Sequence, residues 1–531
     1  MRVLLVDVLG QGEEGRKATI DVIGAGPRAV AGVLERCGVD VDLATYDRIS
    51  KVKLRRYDAL FVSAMTVDFP AARRVLSIWK RIVGRGIAVV GGPLACNPYD
   101  ALARAGFDLC VIGEAEQTLE ELIERNFDAE DVKGVGYVER EDVVVNPLRP
   151  IMPRESYDQY IPSVEVVRSY PLFFASRVYV EVVRGCSNYY RTTLPLPDGR
   201  QCTGCNKCRT GELEERYYCP VEIPPGCGFC SVPSTFGPPR SRSVKKIVEE
   251  VEGLIEEGCK RIVLSGSDIL EYGRDLLVEP EPLTDPRSPE PNYEALEELF
   301  SAVKSIPQVE KGEVFVGIEN VKACLLTEEA AKLLGKYFAG CPVHIGCETG
   351  DEEHARAIGR PSMPREVVEA VRRLKRHGLQ PYVYFIHGLP GQNKRTARQT
   401  VKIMREVARA GAEKITIYRF QSLPMSAFED MPSGPPAARD PLSMEIVREG
   451  ERINLSLKEK LMGSTVKAVV AAKYPKIPNS LVAYPIYHGP VIVVRGSSDL
   501  IGAIVNVRVT GILSSRAVRG EVLEAVRPSR G

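Results

Sequence analysis

The chain has 531 residues, 44% of them hydrophobic and 27% charged, with a net charge of only +1. That length exceeds one ordinary domain and suggests roughly three. No run of about 18 apolar residues occurs, which excludes a membrane-spanning helix, and the start "MRVLLVDVLGQGEEGRK" lacks the anatomy of a signal peptide, so the expected location is cytoplasmic.

Residues 1–130 alternate short apolar strands ("RVLLVDV", "VDVDLATY", "ALFVSA", "IAVVGG", "DLCVIG") with helical patterns such as 71–83 and 99–105. This predicts an α/β domain with a doubly wound parallel sheet, whose ligands bind at the carboxyl ends of the strands. Residues 131–175 read as a Pro-rich linker with room for one hairpin. A second alternating series fills 176–455, with strands "RVYVEVV", "RIVLSG", "EVFVGI", "PVHIGCE", "YVYFIHG" and "KITIYRF". Six β/α units make a partial (β/α)6 barrel rather than a closed eight-stranded one. The helix after Ser243, its expected N-cap, sets Val244, Ile247, Val248, Val251, Leu254 and Ile255 on one face. The run "VEPEPLTDPRSPEPN" (278–292) is a loop. After a linking helix near 443–460, residues 456–531 become short β runs separated by glycine. They predict a small all-β barrel, a shape that often presents a face to oligonucleotides. Residues 463–531 carry nine Lys/Arg against three Asp/Glu, so this tail is +6 and the rest of the chain −5. A basic module on an acidic body suits a polyanion, most simply nucleic acid, or else a solvated basic surface.

Fourteen cysteines in a reducing compartment are not expected to form disulfides. Seven fall between 186 and 230, a clustering that reads as metal ligation. The others (Cys37, Cys96, Cys110, Cys259, Cys324, Cys341, Cys347) are expected to pack as small hydrophobes. In "PPGCGFCSVPSTFG", Cys227 and Cys230 look like two legs of a cluster-binding triad, but Ile223 stands where the third is expected. The strand "VYVEVVRGC" ends at Cys186, at the barrel position where catalytic groups sit. Cys186 is therefore assigned as the third leg, split from the others by an insertion over 187–226. Cys219 is a rival, although it ends no strand. Three thiolates leave one iron of a 4Fe–4S cluster open to an amine- and carboxylate-bearing ligand, whereas four would close it. Within the insertion, Cys202, Cys205 and Cys208 are spaced C-x2-C-x2-C and Cys219 precedes Pro220. That set suits a second 4Fe–4S cluster or structural zinc.

"VEVVRGC", "GCGFCSVPSTFG", "VLSGSD", "HIGCETGDEEHARAIGRP", "YFIHGLPGQ" and "ITIYRFQSLP" occur in this order over about 280 residues. Together they resemble the radical S-adenosylmethionine (SAM) superfamily, with one departure: the first cysteine normally lies a few residues before the second. The resemblance implies that a cluster on Cys186, Cys227 and Cys230 reduces SAM to a 5′-deoxyadenosyl radical, drawing on a donor such as a ferredoxin or flavodoxin. It implies that the segment of Ser265, Gly266 and Asp268 receives the methionyl amino group. Glu348 and Thr349 would meet the ribose or carboxylate, and Gly388 and Gly391 the adenine. His387 is expected to be packed at a strand end.

The stretch "AVVGGPLACNPYDALARAGFDLCVIGEAEQTLEEL" resembles the cobalamin-binding domain found ahead of many radical SAM enzymes. Gly92 and Gly113 would let a corrinoid approach the sheet edge. No histidine precedes His344, so a histidine lower ligand from this domain is excluded, and a pure scaffold role stays open. The tail resembles a TRAM domain, the RNA-binding barrel of tRNA methylthiotransferases. Lys467, Lys473, Lys476, Arg495, Arg508, Arg516 and Arg519 would contact phosphates, which supply affinity without sequence reading. Tyr474, Tyr484 and Tyr487 are aromatic groups of the kind that stack bases, but each taken alone is expected to sit in the core or at the rim. The expected function is a radical SAM transferase that moves a methyl or methylthio group onto an unactivated carbon of RNA, tRNA above all. The alternatives are a small-molecule or protein substrate, or a non-catalytic iron–sulfur or zinc protein that binds RNA.

Overall fold

In the computed structural model, which describes residues 1–526 except 14, 17, 18 and 488, the strands Arg2–Asp7, Asp40–Thr45, Ala59–Ser63, Ala88–Gly91 and Leu109–Val111 pair in parallel. Their near-continuous burial is what a sheet covered on both faces requires. Helices Ala25–Arg36 and Glu116–Glu124 pack into the core on one face, and Phe69–Ile82 into the core on the other. A hairpin of Val135–Glu139 and Asp142–Val145 then extends the sheet as an antiparallel edge. The first domain therefore runs past the expected boundary at 130, and the linker begins after 145. The hairpin turns through Arg140 and Glu141, both at positive φ, without the Asn-Gly signal that usually announces such a turn.

The barrel has the six expected strands: Arg177–Glu181, Arg261–Ser265, a third broken into Phe315–Ile318 and Asn320–Val321, Pro342–Glu348, Gln380–His387 and Lys414–Arg419. All pair in parallel in chain order. The open edge at the first strand is covered by Val22–Ile23, a two-residue strand lent by the N-terminal segment. Helix Val244–Glu256 begins where expected, with the Ser243 hydroxyl accepting from the Lys246 amide, and buries Ile247, Val251 and Leu254.

The tail closes as a five-stranded barrel of Thr465–Lys473, Ser480–Pro485, Val491–Arg495, Ile504–Ile512 and Ala517–Val526. Residues 527–531 of the expected tail domain, with Arg527 and Arg530, lie outside the described residues. Val469, Ala471, Tyr484 and Ile486 of the tail join the main core. Tyr487 meets Phe315, the first residue of the third barrel strand, edge to face at 4.9 Å. Tyr484 lies beside Arg261, the first residue of the second. The tail is thus seated under the amino ends of the barrel strands. Among the described residues no helix is long and apolar enough to cross a membrane.

The N-terminal domain and the barrel share a buried ionic contact. Arg28 Nη2 lies 2.6 Å from Glu250 Oε1, and Arg242 Nη1 2.6 Å from Glu250 Oε2, all three side chains being sealed from solvent. Removing one partner of such a set leaves the others charged and unpaired. Glu250→Ala is expected to cost about 3–5 kcal/mol of unfolding free energy, measured by denaturant titration.

Candidate functional site

The first barrel strand leads through Val183 and Arg184 to Gly185 and Cys186. Gly185 sits at φ +94°, and a Cβ there would stand 2.2 Å from the Pro238 carbonyl oxygen, so only glycine fits. The Cys186 amide donates to Gly237 O at 3.0 Å, which pins the residue at the barrel mouth. Asn188 ties the split triad together: its backbone N–H is 3.4 Å from Cys186 Sγ and its Nδ2 is 3.3 Å from Cys227 Sγ. Cys230 follows in a tight turn, with its amide on Cys227 O at 2.8 Å, and feels the charges of both other thiols. The structure thus brings Cys186, Cys227 and Cys230 to one mouth. The rival Cys219 lines a different cavity with Cys202, Cys205 and Cys208.

Burial pushes the Cys186 thiol up to about 11, against the pull of the Lys322 ammonium, and the Cys230 thiol up to about 12. Among the described residues no three His, Cys, Asp or Glu side chains close on a single metal ion. Three thiols spread around one buried mouth, with nitrogen donors aimed at sulfur, suit a polynuclear cluster whose ligands sit on separate irons.

Several participants escaped the sequence reading. Arg360 Nη1 is 3.5 Å from Cys227 Sγ and 3.6 Å from Glu348 Oε1. Lys322, on the far side, pairs with buried Glu271, which also accepts from the Ser187 hydroxyl. Burial opposes ionisation of Glu271, but Lys322 and Arg274 outweigh it and hold the carboxyl below its usual range. These cations stand where thiolates need counter-charge. Arg360 lies inside the quoted "AIGRP", yet nothing in its spacing announced a contact with sulfur.

The expected SAM residues divide. Glu348 ends the fourth strand at φ +64°, beyond a register shift, and its buried carboxyl is pushed up by desolvation and eased by Arg360. A buried carboxylate on a left-handed backbone at a strand end carries the stored strain typical of functional positions. Asp268 takes the turn position that is the other reading of this residue: its Oδ1 accepts from the Leu270 amide at 2.9 Å and its Oδ2 from the Lys322 amide at 3.0 Å. Thr349 is likewise engaged, its hydroxyl 3.0 Å from His354 Nδ1. Ser265 Oγ donates to Glu319 at 3.3 Å, and a Cβ at Gly266 would strike Val183. The space beside Gly388 is filled by Gly434 and that beside Gly391 by the His354 ring, so both glycines serve packing. His387 is buried as expected, with Nδ1 unpartnered.

At the carboxyl edge of the first sheet, a Cβ at Gly92 would stand 2.8 Å from Ala64 O, whereas the space beside Gly91 is open. A Cβ at Gly113 would meet only Thr235 O, at 3.7 Å, across an open cavity that Glu114, Thr235 and Met425 also line. This cavity lies between the first sheet and the turn after Cys230. The small, open edge fits a flat ring approaching there, with Gly113 rather than Gly92 giving access. Glu114 and Glu116, just after Gly113, hold Arg184 at 3.1 and 2.8 Å, and Arg184 also binds Glu181 at 2.8 Å.

In the tail, Lys467, Lys473, Lys476, Arg495, Arg508, Arg516 and Arg519 are all exposed. Strand register sets Lys467 diagonal to Arg508, while Lys473 and Arg495 flank one end of Ser480–Pro485. Tyr484 is buried in the seat under the barrel and Tyr487 packs its ring on Phe315, the core or rim placement expected of them; Tyr474 is half-buried.

Residues 223–404 match the radical SAM superfamily and residues 15–123 the B12 binding domain. The first match begins beyond Cys186, so that ligand rests on geometry. An uncharacterized protein of Methanopyrus kandleri is 45% identical over 98% of this chain and 96% of its own length. The tRNA-2-methylthio-N(6)-dimethylallyladenosine synthase of Lawsonia intracellularis is 31% identical over 33% of this chain and 36% of its own. The cobalamin- and 4Fe–4S-bound radical SAM methyltransferase TsrM of Kitasatospora setae shares the fold, with a TM-score of 0.56 and 15% identity over 81% of this chain and 77% of that one.

Ligation requires thiolates, and the free thiols of Cys186 and Cys230 are held protonated near neutrality. Their folded-state values are raised, so iron uptake releases protons and tightens as pH climbs towards those values. Between about pH 7 and pH 9, apparent iron affinity of the apo protein should rise by roughly tenfold per pH unit for each proton released, measured by competition with a chelator.

Proposed function

The chain belongs to the radical SAM superfamily, with a B12-binding domain ahead of its barrel, and from that premise we propose that it is a transferase that methylates a carbon atom of a structured RNA of tRNA size. The observation that carries this reading is the shared mouth. Arg184 bolts the turn after Gly113, on the B12-binding domain, to the strand that ends at Cys186. When bound, the cluster and SAM supply a hydrogen-abstracting radical, and cobalamin supplies the methyl group.

The chain's own residues do the rest. Cys186, Cys227 and Cys230 provide three thiolates, and Asn188 and Arg360 donate to their sulfurs. Glu348 presents a carboxylate to the same mouth with Arg360 as counter-charge, suited to hold a hydroxyl- or ammonium-bearing ligand. Burial of Cys186 and Cys227 keeps water from a radical intermediate.

The RNA substrate is supported by the exposed basic residues of the closed tail barrel and by the tRNA-modifying Lawsonia relative. The tail sits under the amino ends of the barrel strands and the triad at their carboxyl ends, a strand length of about 20 Å or more apart. A mononucleotide cannot touch both; a folded RNA running along the barrel can. Transfer of a methylthio group is the second reading, favoured by the same relative and by the four cysteines of the insertion. A ferredoxin- or flavodoxin-type protein is the proposed electron source.

Anaerobically reconstituted protein, given SAM with a labelled methyl group and total RNA, is expected to place label in one nucleoside. The nucleoside mass then separates methyl from methylthio. Failure to retain any RNA at low salt would turn the reading towards a small-molecule or protein substrate. Charge reversal at Lys467, Lys473 and Arg508 should weaken RNA binding and flatten the dependence of log K on log salt by about 0.9 for each phosphate left without a cation, by fluorescence titration.

A further inference from the structure

We propose that Cys202, Cys205, Cys208 and Cys219 hold a second 4Fe–4S cluster that relays electrons to the cluster on Cys186, Cys227 and Cys230. All four side chains line one open cavity of about 470 Å³. A zinc ion with Zn–S bonds of about 2.3 Å in a tetrahedron would draw its sulfurs to about 3.8 Å apart. Among the described residues, which include all four cysteines, no three such groups close on one ion. Four thiols facing a common space match a cube that takes one ligand at each of four irons.

A second observation points to negative charge in that space. Arg191 is only 4% exposed. Its guanidinium donates to the carbonyl oxygens of Ile223, Tyr189, Arg216 and Tyr217, at 2.6 to 3.1 Å. Among the described residues no carboxylate pairs with it, and it lines the same cavity as the four cysteines. A buried cation without a counter-ion is costly, and an anionic iron–thiolate cluster supplies one. The Gly204 amide, 3.4 Å from Cys202 Sγ, adds the kind of hydrogen bond that tunes such clusters.

The relay follows from placement and rests on the radical SAM reading of the triad; the metal assignment does not. Asn188 touches Cys186 and Cys227, and Arg191, three residues on, borders the second set. Three residues of chain span at most about 10 Å. Cys219 and Cys202 pack against the apolar floor of Leu196, Ile223 and Ile358, while Cys205 is exposed and Tyr218, 73% exposed, stands beside it at the cavity rim. The outer side is thus open to a low-potential one-electron donor protein. One electron leaves that donor, reduces the second cluster, passes to the first, and is consumed in breaking one C–S bond of SAM to give methionine and a carbon radical.

Iron and zinc per chain, with electron paramagnetic resonance of the reduced protein, test this without RNA or methyl transfer, so failure of the RNA reading leaves the outcome untouched. The expected result is about eight irons and no zinc, falling to about four when Cys202, Cys205, Cys208 and Cys219 are all replaced by Ser. The Cys186→Ala/Cys227→Ala/Cys230→Ala variant should also keep about four irons, in a cluster whose spectrum SAM does not perturb. Should the quadruple variant fail to fold, Cys205→Ser alone, at the exposed ligand, should shift only the SAM-insensitive spectrum. Reduction of the SAM-sensitive cluster by a reduced ferredoxin in stopped flow should slow at least about tenfold in the quadruple variant. One zinc per chain, or about four irons in both wild type and quadruple variant, would overturn the cluster; an unchanged reduction rate would overturn the relay.

Discussion

A single guanidinium holds the two catalytic halves of this molecule in register. Arg184 stands at the end of the first barrel strand, two residues before Cys186, with Glu114 and Glu116 of the first domain on one side and Glu181 of its own strand on the other. Tyr157 covers it face-on, 4.3 Å from its ring centre. Arg240 binds Glu114 as well, at 3.0 Å, and the Met152 carbonyl at 2.7 Å. Domains joined by a chain segment are mobile by default. Here Glu114, Glu116 and Arg184 are buried against one another, so sliding one domain over the other would break these ion pairs before water could replace them. The sheet edge after Gly113 is thereby fixed over the turn that carries Cys227 and Cys230.

The same electrostatic logic recurs around the sulfurs. Cys186 has Lys322 nearby, Cys227 has Arg360, and the insertion cysteines have Arg191. Burial works against the Cys186 thiolate, and Lys322 offsets part of that cost. Lys322 and Arg360 are in turn held by Glu271 and Glu348, so the mouth alternates sign outward from the sulfurs. Arg191 differs, because backbone carbonyls alone hold it.

The tail complicates a simple picture of RNA delivery. Its barrel is closed, basic and exposed, yet it docks beneath the strands rather than above them. Tyr484, Tyr487, Val469 and Ile486 are committed to that seat. Whatever polyanion it holds must be large and folded to reach the triad as well, so substrate size and reach, rather than one base contact, become the main selection.

Local pattern was enough for much of this protein. Alternating apolar runs located both sheets, Ser243 marked its helix start, and a cysteine ending a strand singled out Cys186, which the fold places beside Asn188 and Cys227. These features follow from periodicity and strand ends, which neighbouring residues encode. The strand Val22–Ile23 lent to the barrel, the pairing of the 135–145 hairpin with the first sheet, and Arg360 and Lys322 beside the sulfurs were not legible. Each depends on a partner tens to hundreds of residues away, whose chemical type the sequence permits but whose distance it does not state. The sequence by itself determined which residues carry thiol, carboxylate and positive charge, and in what local order. Only the tertiary structure decided which of them face one another, because burial makes an unpaired charge too costly to leave and so selects, among many chemically allowed partners, the ones the packed chain brings within reach.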